Sequence, residues 1–262
     1  MKYRYSIFTK PYKDLSMDEL GQKVSGMGFT AIEYPLRDGF QVRLDDAENG
    51  MAALSGALAK YGVAISSVAS VAEEWALAAC KAGGCPILRI MASVDKNQRY
   101  LEWERSYIKY LEGVEPLAEK YGVTVGIQNH CGHMVSGTME LKRVVEKFDP
   151  KYIAAIWDAG HHALAGEHTE QALDIIWDNL CLVNLKNAYY RRVNGPEAPH
   201  AKFGPFFTLG RHGAADYVRI AAYLKERGYA GDICIPAEYT DEKLVDILTP
   251  IDLAYVKSLF ED

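Results

Sequence analysis

Short runs of apolar residues recur along the chain, and amphipathic stretches of helical length separate them. An apolar run that ends at a turn signal is typical of a strand buried on both faces of a parallel sheet. Strand alternating with helix eight times predicts a closed (β/α)8 TIM barrel, with an open doubly wound sheet as the alternative. The predicted strands are 3–8, 28–33, 63–69, 86–91, 123–128, 153–157, 181–185 and 233–235.

Local signals mark several of the helix boundaries. Ser16 followed by Glu19 forms a capping-box pattern, which predicts the start of the first helix. The sequence KYGV occurs at both 60–63 and 120–123, where it indicates a helix end, a glycine turn and a strand start. The remaining helices are predicted over 45–61 and 97–121, up to about Ala82, and from near Thr138, Thr169, Ala214 and Asp241.

The only long stretch without a periodic pattern is 187–213, between the seventh strand and the seventh helix. A loop of this length in a compact domain is usually functional or disordered, and its aromatic residues argue against disorder. Its basic residues, Arg191 among them, predict a lid over an anionic or polyhydroxylated ligand. The alternative is a packed surface loop whose charges are solvated.

Length and charge narrow the class of protein. The 262 residues show no linker and match the usual size of one barrel, about 250 residues, so we expect a single domain over 1–262. The formal net charge of −6 argues against a nucleic-acid partner, because such binding depends on neutralising phosphates. A homo-oligomer is possible, but no pattern identifies an interface.

Apolar content and cysteine spacing predict a cytoplasmic protein without a membrane partner. No stretch approaches the roughly 18 apolar residues that span a bilayer, and residues 1–10 lack the apolar segment of a signal peptide. The five cysteines are scattered and form no CxxC pair, which indicates free thiols in a reducing compartment.

Polar residues stand at the ends of the predicted strands, where the chemistry of an α/β barrel is located. In 152–166, YIAAIWDAGHHALAG, a buried strand is followed at once by Asp158 and His161. Burying an acid and an imidazole is costly unless they have partners or a role. The alternative is that Asp158 only caps the next helix. The full set of strand-end candidates is Glu33, Arg89, Gln128, His130, Asp158, His161, Asn184, Lys186 and Glu238.

In order along the chain, these motifs resemble the xylose isomerase-like TIM barrel superfamily. The resemblance rests on GFxxIE at 28–33, QNH at 128–130, DxGH at 158–161, NLKN at 184–187 and GYxGDI at 228–233. That superfamily contains sugar and sugar-phosphate isomerases and epimerases, inosose dehydratase and family 2 AP endonucleases. The resemblance covers nearly the whole chain and implies the same barrel fold.

The chain departs from the family pattern at the metal ligands. The family holds a divalent metal with Glu, Asp, His and Glu at the ends of strands five to eight. The matching residues here are Gln128, Asp158, Asn184 and Pro236, so only Asp158 is retained. Hard cations prefer charged oxygen ligands. We therefore expect no cofactor, and no metal at the usual place, in a pocket that remains polar.

A displaced centre for Mn²⁺, Mg²⁺ or Zn²⁺ is the alternative. Glu238 lies two residues beyond Pro236, hence on the same side of its strand and one layer nearer the mouth. His161 matches a position that binds an additional zinc in the family's AP endonucleases. A shifted metal would therefore use Asp158, His161 and Glu238, joined by His130 or His133.

The resemblance implies proton abstraction next to a carbonyl of a small polyhydroxylated substrate, a ketose, a keto-sugar or an inositol derivative. Such chemistry needs a base and a group that stabilises the enediolate oxygen. We expect Glu238 or His161 as the base, and Lys186, His130 or Arg89 as the stabilising group. The expected substrate-binding residues are Glu33, Arg89, Gln128, Asp158, Asn184 and Arg191. The alternative function is a non-catalytic sugar-binding barrel that has lost the metal centre.

Overall fold

The computed structural model describes residues 3–261. Its strands are β1 (Arg4–Phe8), β2 (Ala31–Pro35), β3 (Ala64–Ala69), β4 (Ile87–Met91), β5 (Thr124–Gln128), β6 (Ile153–Asp158), β7 (Leu180–Asn184), β8 (Asn187–Arg192), β9 (Phe203–Thr208) and β10 (Asp232–Ile235). Over that range, eight of them close a parallel barrel in the order β1-β10-β7-β6-β5-β4-β3-β2. This confirms the predicted barrel, and the alternative prediction of an open doubly wound sheet is wrong. Each predicted strand overlaps an observed one.

Helices cover the outside of the barrel. They are α1 (Met17–Gly26), α2 (Ala47–Ala59), α3 (Glu74–Ala82), α4 (Tyr100–Tyr121), α5 (Thr138–Val145), α6 (Ala159–Ala165), α7 (Thr169–Ile176), α8 (Tyr217–Glu226) and α9 (Val245–Phe260). The capping box at Ser16 is formed, and both KYGV glycines adopt positive φ, 69° at Gly62 and 66° at Gly122. None of the helices within 3–261 combines the length and the apolarity needed to cross a bilayer.

Two helix predictions need correction. The connection after β6 contains two helices, because α6 forms directly behind Asp158 before the predicted helix begins at Thr169. The helix expected near Ala214 begins at Tyr217, where the Asp216 side chain accepts the Val218 and Arg219 N–H groups. Side-chain capping therefore decided the boundary that hydrophobic periodicity left open.

Side-chain alternation along the strands divides the core into two clusters. The larger cluster lies between the strands and the helices and includes the fully buried Leu20, Leu54 and Leu111. The smaller one contains Phe8, Ala69, Ile87, Ile156, Leu182 and Cys234. Because Ile156 lies two residues before Asp158, the smaller cluster points the same way as the site residues and fills the barrel beneath them.

The segment 187–213 was predicted to be irregular, and this is wrong for its two strands, although 193–202 and 209–213 are turns and irregular chain. β8 and β9 pair as an antiparallel hairpin from Asn187↔Thr208 to Arg192↔Phe203. The Asn187 side chain holds its base, donating to the carbonyls of Gly210 and Ala215 and accepting from the N–H groups of Ala188 and Ala215. The aromatic residues that argued against disorder supply the strand preference.

Candidate active site

The strand-end residues converge at the carboxyl end of the barrel. A cavity of about 110 Å³, here the inner cavity, is lined by Glu33, Arg89, Gln128, His130, Asn184, Lys186 and Glu238, together with Phe8, Lys10, Arg37, Met91 and Pro236. An outer cavity of about 640 Å³ shares Lys10, His130, Lys186 and Glu238 with it. Arg191 lines neither cavity, because it lies on the exposed side of the hairpin against the Phe206 ring.

A buried chain of polar contacts crosses the barrel from β2 to β6. The Arg89 guanidinium lies 2.8 Å from Glu33 Oε1 and donates to Gln128 Oε1 at 2.5 Å. Gln128 Nε2 in turn donates to Asp158 Oδ2 at 2.7 Å. Burial lowers the pKa of Arg89, but the Glu33 carboxylate overcomes this and raises it. Arg89 is therefore a buried ion-pair partner as well as a residue of the cavity wall.

Closer to the mouth, two lysines share one carboxylate. Lys186 Nζ donates to Glu238 Oε2 at 2.9 Å, and Lys10 Nζ donates to Glu238 Oε1 at 2.8 Å. Burial raises the pKa of Glu238, but the ammonium groups, Lys186 first, hold it well below its ordinary value. Burial lowers the pKa of Lys186, but Asp158 and Glu238 raise it above the ordinary value. Both groups are therefore charged at neutral pH.

Asp158 has both of the roles considered for it: it caps the next helix, and it lies among the site residues. Its Oδ1 accepts the His161 N–H at 3.0 Å and so caps α6, while its Oδ2 lies 3.9 Å from Lys186 Nζ. Asn129 fixes its backbone, since Asn129 Oδ1 accepts the Asp158 N–H at 2.7 Å and Asn129 Nδ2 donates to the Asp158 carbonyl. Burial raises the pKa of Asp158, and Lys186 opposes that rise.

Gly160 allows α6 to lie directly on the chain after β7. A Cβ at Gly160 would stand 2.8 Å from the Lys186 carbonyl oxygen and 3.1 Å from its carbonyl carbon. Real Cβ atoms do not approach backbone this closely, so a side chain here would displace Lys186. The glycine of the DxGH motif thus allows the main chain of α6 to approach the main chain at Lys186.

Two imidazoles pack against each other beside this pair, with their planes tilted by 39°. The ring centroids of His130 and His161 are 3.8 Å apart, and the Phe207 ring lies edge-on to His161 at 6.0 Å. Burial lowers the pKa of both histidines, so both are neutral at pH 7. Among the described residues, neither ring nitrogen of His161 has a hydrogen-bond partner. Buried polar atoms of this kind indicate a ligand or water, because leaving them unpaired costs about 1–3 kcal/mol.

The residues at the family's metal-ligand positions do not fit a divalent cation. Gln128 uses its oxygen to accept from Arg89 and its nitrogen to donate to Asp158, and Pro236 has no ligand atom in its side chain. The Lys186 ammonium lies 3.9 Å from the retained Asp158 carboxylate. A positive charge therefore already lies beside the one ligand that remains.

The displaced trio Asp158, His161 and Glu238 does not fit better. All four carboxylate oxygens of its two acids accept hydrogen bonds, from Gln128 and the His161 backbone on one side and from the two lysines on the other. Within 3–261, the side chains of His130, Cys131 and His161 bring possible ligand atoms within 4.8 Å of one another. Burial raises the pKa of the Cys131 thiol, which disfavours the thiolate that metals bind.

Sequence reasoning missed several residues of the mouth. Lys10 follows β1 and Arg37 follows β2, so the signal that identified the other candidates, a polar residue just after a strand, also marks these two. Phe207 reaches the outer cavity from the hairpin, which is tied down where the Phe207 N–H donates to Thr240 Oγ1 at 2.8 Å. That contact depends on tertiary structure and has no local sequence signal.

The chain is similar in sequence to known proteins. The family model described as xylose isomerase-like TIM barrel matches residues 22–254. Inosose dehydratase of Lacticaseibacillus casei is 26% identical over 147 residues, covering 54% of this chain and 49% of that protein. Inosose dehydratase of Bacillus licheniformis is 24% identical over 169 residues, covering 62% of this chain and 54% of that protein. The chain thus matches about half the length of these dehydratases.

Solved structures resemble the chain over nearly its full length. A probable 3-DHS dehydratase, AsbF, from Bacillus anthracis aligns with a TM-score of 0.75 at 13% identity, covering 97% of this chain and 98% of that one. The 3-keto-D-glucoside 4-epimerase YcjR from E. coli aligns with a TM-score of 0.73 at 14% identity, covering 98% and 99%. At such identities the likeness concerns the fold.

Proposed function

The chain belongs to the xylose isomerase-like TIM barrel family, and on that premise we propose that it isomerises, epimerises or dehydrates a small polyhydroxylated substrate by removing a proton next to a carbonyl. The observation that carries the proposal is the Lys186–Glu238 pair, an ammonium and a carboxylate 2.9 Å apart in the wall of the barrel cavity. The similarity to inosose dehydratases supports a ketose, a keto-sugar or an inositol derivative as the substrate class.

Glu238 is the base in this proposal, and Lys186 stabilises the enediolate oxygen. The Lys186 ammonium donates to the substrate carbonyl and gains strength as negative charge develops there in the low-dielectric cavity. When Lys186 turns toward the substrate, Glu238 loses one of its two ammonium partners, so its pKa rises and it becomes a better base. In this proposal His130, which lines both cavities, exchanges protons with substrate hydroxyls, whereas His161 is fully buried behind it and lines neither cavity.

We propose that this chemistry needs no metal at the usual place, because Lys186 supplies the positive charge there. The test is the metal content of protein purified without chelator, followed by calorimetric titration with Mn²⁺, Zn²⁺ and Mg²⁺. We expect no stoichiometric binding that depends on Asp158. Stoichiometric metal that is lost in Asp158→Ala would instead show a rebuilt centre that includes His161 and Glu238.

The experiment that tests the reaction is deuterium incorporation from D₂O into a panel of ketoses, keto-sugars and inosose, followed by NMR. Glu238→Gln is expected to reduce exchange by roughly 10²–10⁴-fold while the sugar still binds, because it removes the base and keeps the shape. Glu242→Gln is the matched control, since Glu242 is exposed and lines only the outer cavity. Unchanged exchange in Glu238→Gln would contradict the assignment.

A non-catalytic sugar-binding barrel is not favoured by the relatives, which are dehydratases. Wild-type protein that binds members of the panel but exchanges no proton in any of them would revive this alternative.

A further inference from the structure

The inner cavity carries more positive than negative charge. Its lining includes the cations Lys10, Arg37, Arg89 and Lys186 and the carboxylates Glu33 and Glu238. Asp158 lies directly behind the lining, so four cations face three carboxylates. The whole chain, in contrast, has a formal net charge of −6. The excess of positive charge is therefore confined to the inner cavity.

The unbalanced cation is Arg37. Arg89 pairs with Glu33, and the two lysines share Glu238, but no carboxylate of the described residues lies within ion-pairing distance of Arg37. Its guanidinium is 5.9 Å from the centroid of the Phe8 ring, and the Arg89 guanidinium lies 4.7 Å from the same centroid. Two like charges thus stand against one ring. Arg89 is neutralised by Glu33, whereas Arg37 is exposed and has no ion-pair partner in the described part of the chain, so an anion that enters the cavity meets a guanidinium free to bind it.

Unsatisfied buried atoms at the same cavity point to a ligand with polar groups, an acceptor for Arg89 Nε and a hydroxyl donor for Asn184 Oδ1. Arg89 Nε and Asn184 Oδ1 have no hydrogen-bond partner within the described part of the chain. Both residues line the inner cavity, and Asn184 is only 1% exposed. Burial and the neighbouring Arg89 also lower the pKa of Arg37, and the Glu238 and Glu33 carboxylates offset this only in part.

We propose that the substrate carries an anionic group, a carboxylate or a phosphate monoester, that binds Arg37 at the β2 side of the cavity. A guanidinium donates two parallel hydrogen bonds to either group, which a neutral hydroxyl cannot match. This inference rests on the proposed function, which assigns the reacting carbonyl to Lys186 after β7. The anion would bind three strands away around the barrel, since β2 is separated from β7 by β1 and β10. Arg37 thus selects the substrate and takes no part in proton transfer.

Three ketohexoses that differ only at carbon 6 test this inference: D-fructose, D-fructose 6-phosphate and D-fructuronate. Equilibrium binding by calorimetry and deuterium exchange by NMR are measured for the wild type, Arg37→Gln and Arg37→Lys. Arg105→Gln is the matched control, because Arg105 is exposed on α4 and forms no ion pair within residues 3–261.

We expect the wild type to bind at least one anionic compound about tenfold or more tightly than fructose, and Arg37→Gln to abolish this preference. The loss should appear in KM rather than in kcat, since Arg37 is remote from the reacting carbon, and should shrink in high salt. Arg37→Lys should retain more affinity for the phosphate than for the carboxylate. Arg105→Gln should change nothing.

Equal binding of all three compounds, binding of neither anionic compound, or an equal loss for all three in Arg37→Gln would overturn the inference. Whichever anionic compound binds more tightly identifies the source of the charge. Anion-selective binding without deuterium exchange would contradict the proposed reaction and leave this inference standing. Deuterium exchange into fructose, together with equal binding of all three compounds by the wild type, would do the reverse.

Discussion

Two layers of the barrel mouth differ sharply although they belong to the same strands. The inner layer contains Gln128, Asn184 and Pro236, at positions where the family has metal ligands. Two residues further along the chain in each case, beyond the ends of β5, β7 and β10, the outer layer contains His130, Lys186 and Glu238. The inner layer is uncharged apart from Asp158, whereas the outer layer has an ammonium, a carboxylate and an imidazole.

The difference shows that, at the ends of β5, β7 and β10, the titratable groups lie one layer nearer the solvent than the family's metal-ligand positions. Gln128 does not reproduce a ligand; it connects Arg89 with Asp158 through its amide. Lys186 places its charge 3.9 Å from Asp158 Oδ2, so a side chain of the outer layer meets the carboxylate of the inner one. The two layers can therefore be perturbed separately, and each of three variants below affects one of them.

The largest effect is expected from Lys186→Met, which removes the outer cation. Deuterium exchange on the best compound of the sugar panel should fall by roughly 10²–10³-fold, because the enediolate oxygen loses its donor. Lys96→Met, at an exposed lysine, is the control for the substitution itself. Full activity in a folded Lys186→Met protein would show that the outer layer is not the reacting one.

A smaller effect is expected from Gln128→Glu, which restores a carboxylate to the inner layer. The contact with Asp158 Oδ2, 2.7 Å in the wild type, then joins two acids. The free energy of unfolding at pH 8 should fall by about 1–3 kcal/mol. Because the repulsion raises the pKa of one carboxyl in the folded state, the loss should diminish as the pH is lowered toward 5.

Thermal unfolding of Gln128→Glu at several pH values, with and without Mn²⁺, measures this change. Gln98→Glu is the exposed control and should change stability little at any pH. A deficit in Gln128→Glu that does not vary with pH would argue against contact between the two carboxyls. Stabilisation by Mn²⁺ in this variant alone would show that the inner layer has kept the shape of a metal site.

The smallest effect is expected from Lys10→Met. In the wild type the lysines keep the pKa of Glu238 low, so the base stays ionised as the pH falls through the ordinary glutamate range. With one ammonium removed, that pKa rises, and the acid limb of the pH–rate profile should move upward. The rate on the neutral plateau should stay within about twofold. Lys13→Met, at an exposed neighbour, should leave the pH–rate profile unchanged. If the acid limb does not move in Lys10→Met, the ionisation of Glu238 does not control the rate.

The fold could be predicted from the sequence because barrel strands are short, apolar and bounded by turns. The errors occurred where tertiary contacts decide. The hairpin in 187–213 depends on Asn187, whose side chain joins chain segments more than twenty residues apart. The error at α6 is local instead: Asp158 caps this helix, as one reading of the motif predicted, but its seven residues are too few for a helical period to show.

For the site, the sequence identified most of the residues but not their partners. Lys186 donates to Glu238 and lies 3.9 Å from Asp158 because β7 is flanked by β10 and β6 in the barrel, an order that the sequence does not state. Arg191 was expected at the substrate, but strand alternation in the hairpin turns it outward. Whether the candidate residues act as proposed remains a prediction for the variants above.

The backbone contact at Gly160 has a consequence for altering the specificity of this barrel. The main chain at Gly160 lies directly on the main chain at Lys186, so the backbone spacing between α6 and the segment after β7 does not depend on side chains elsewhere. Mutagenesis of the hairpin and the outer cavity should therefore yield variants that accept new substrates with the same reactive geometry. Libraries that vary Gly160 should yield mostly inactive clones.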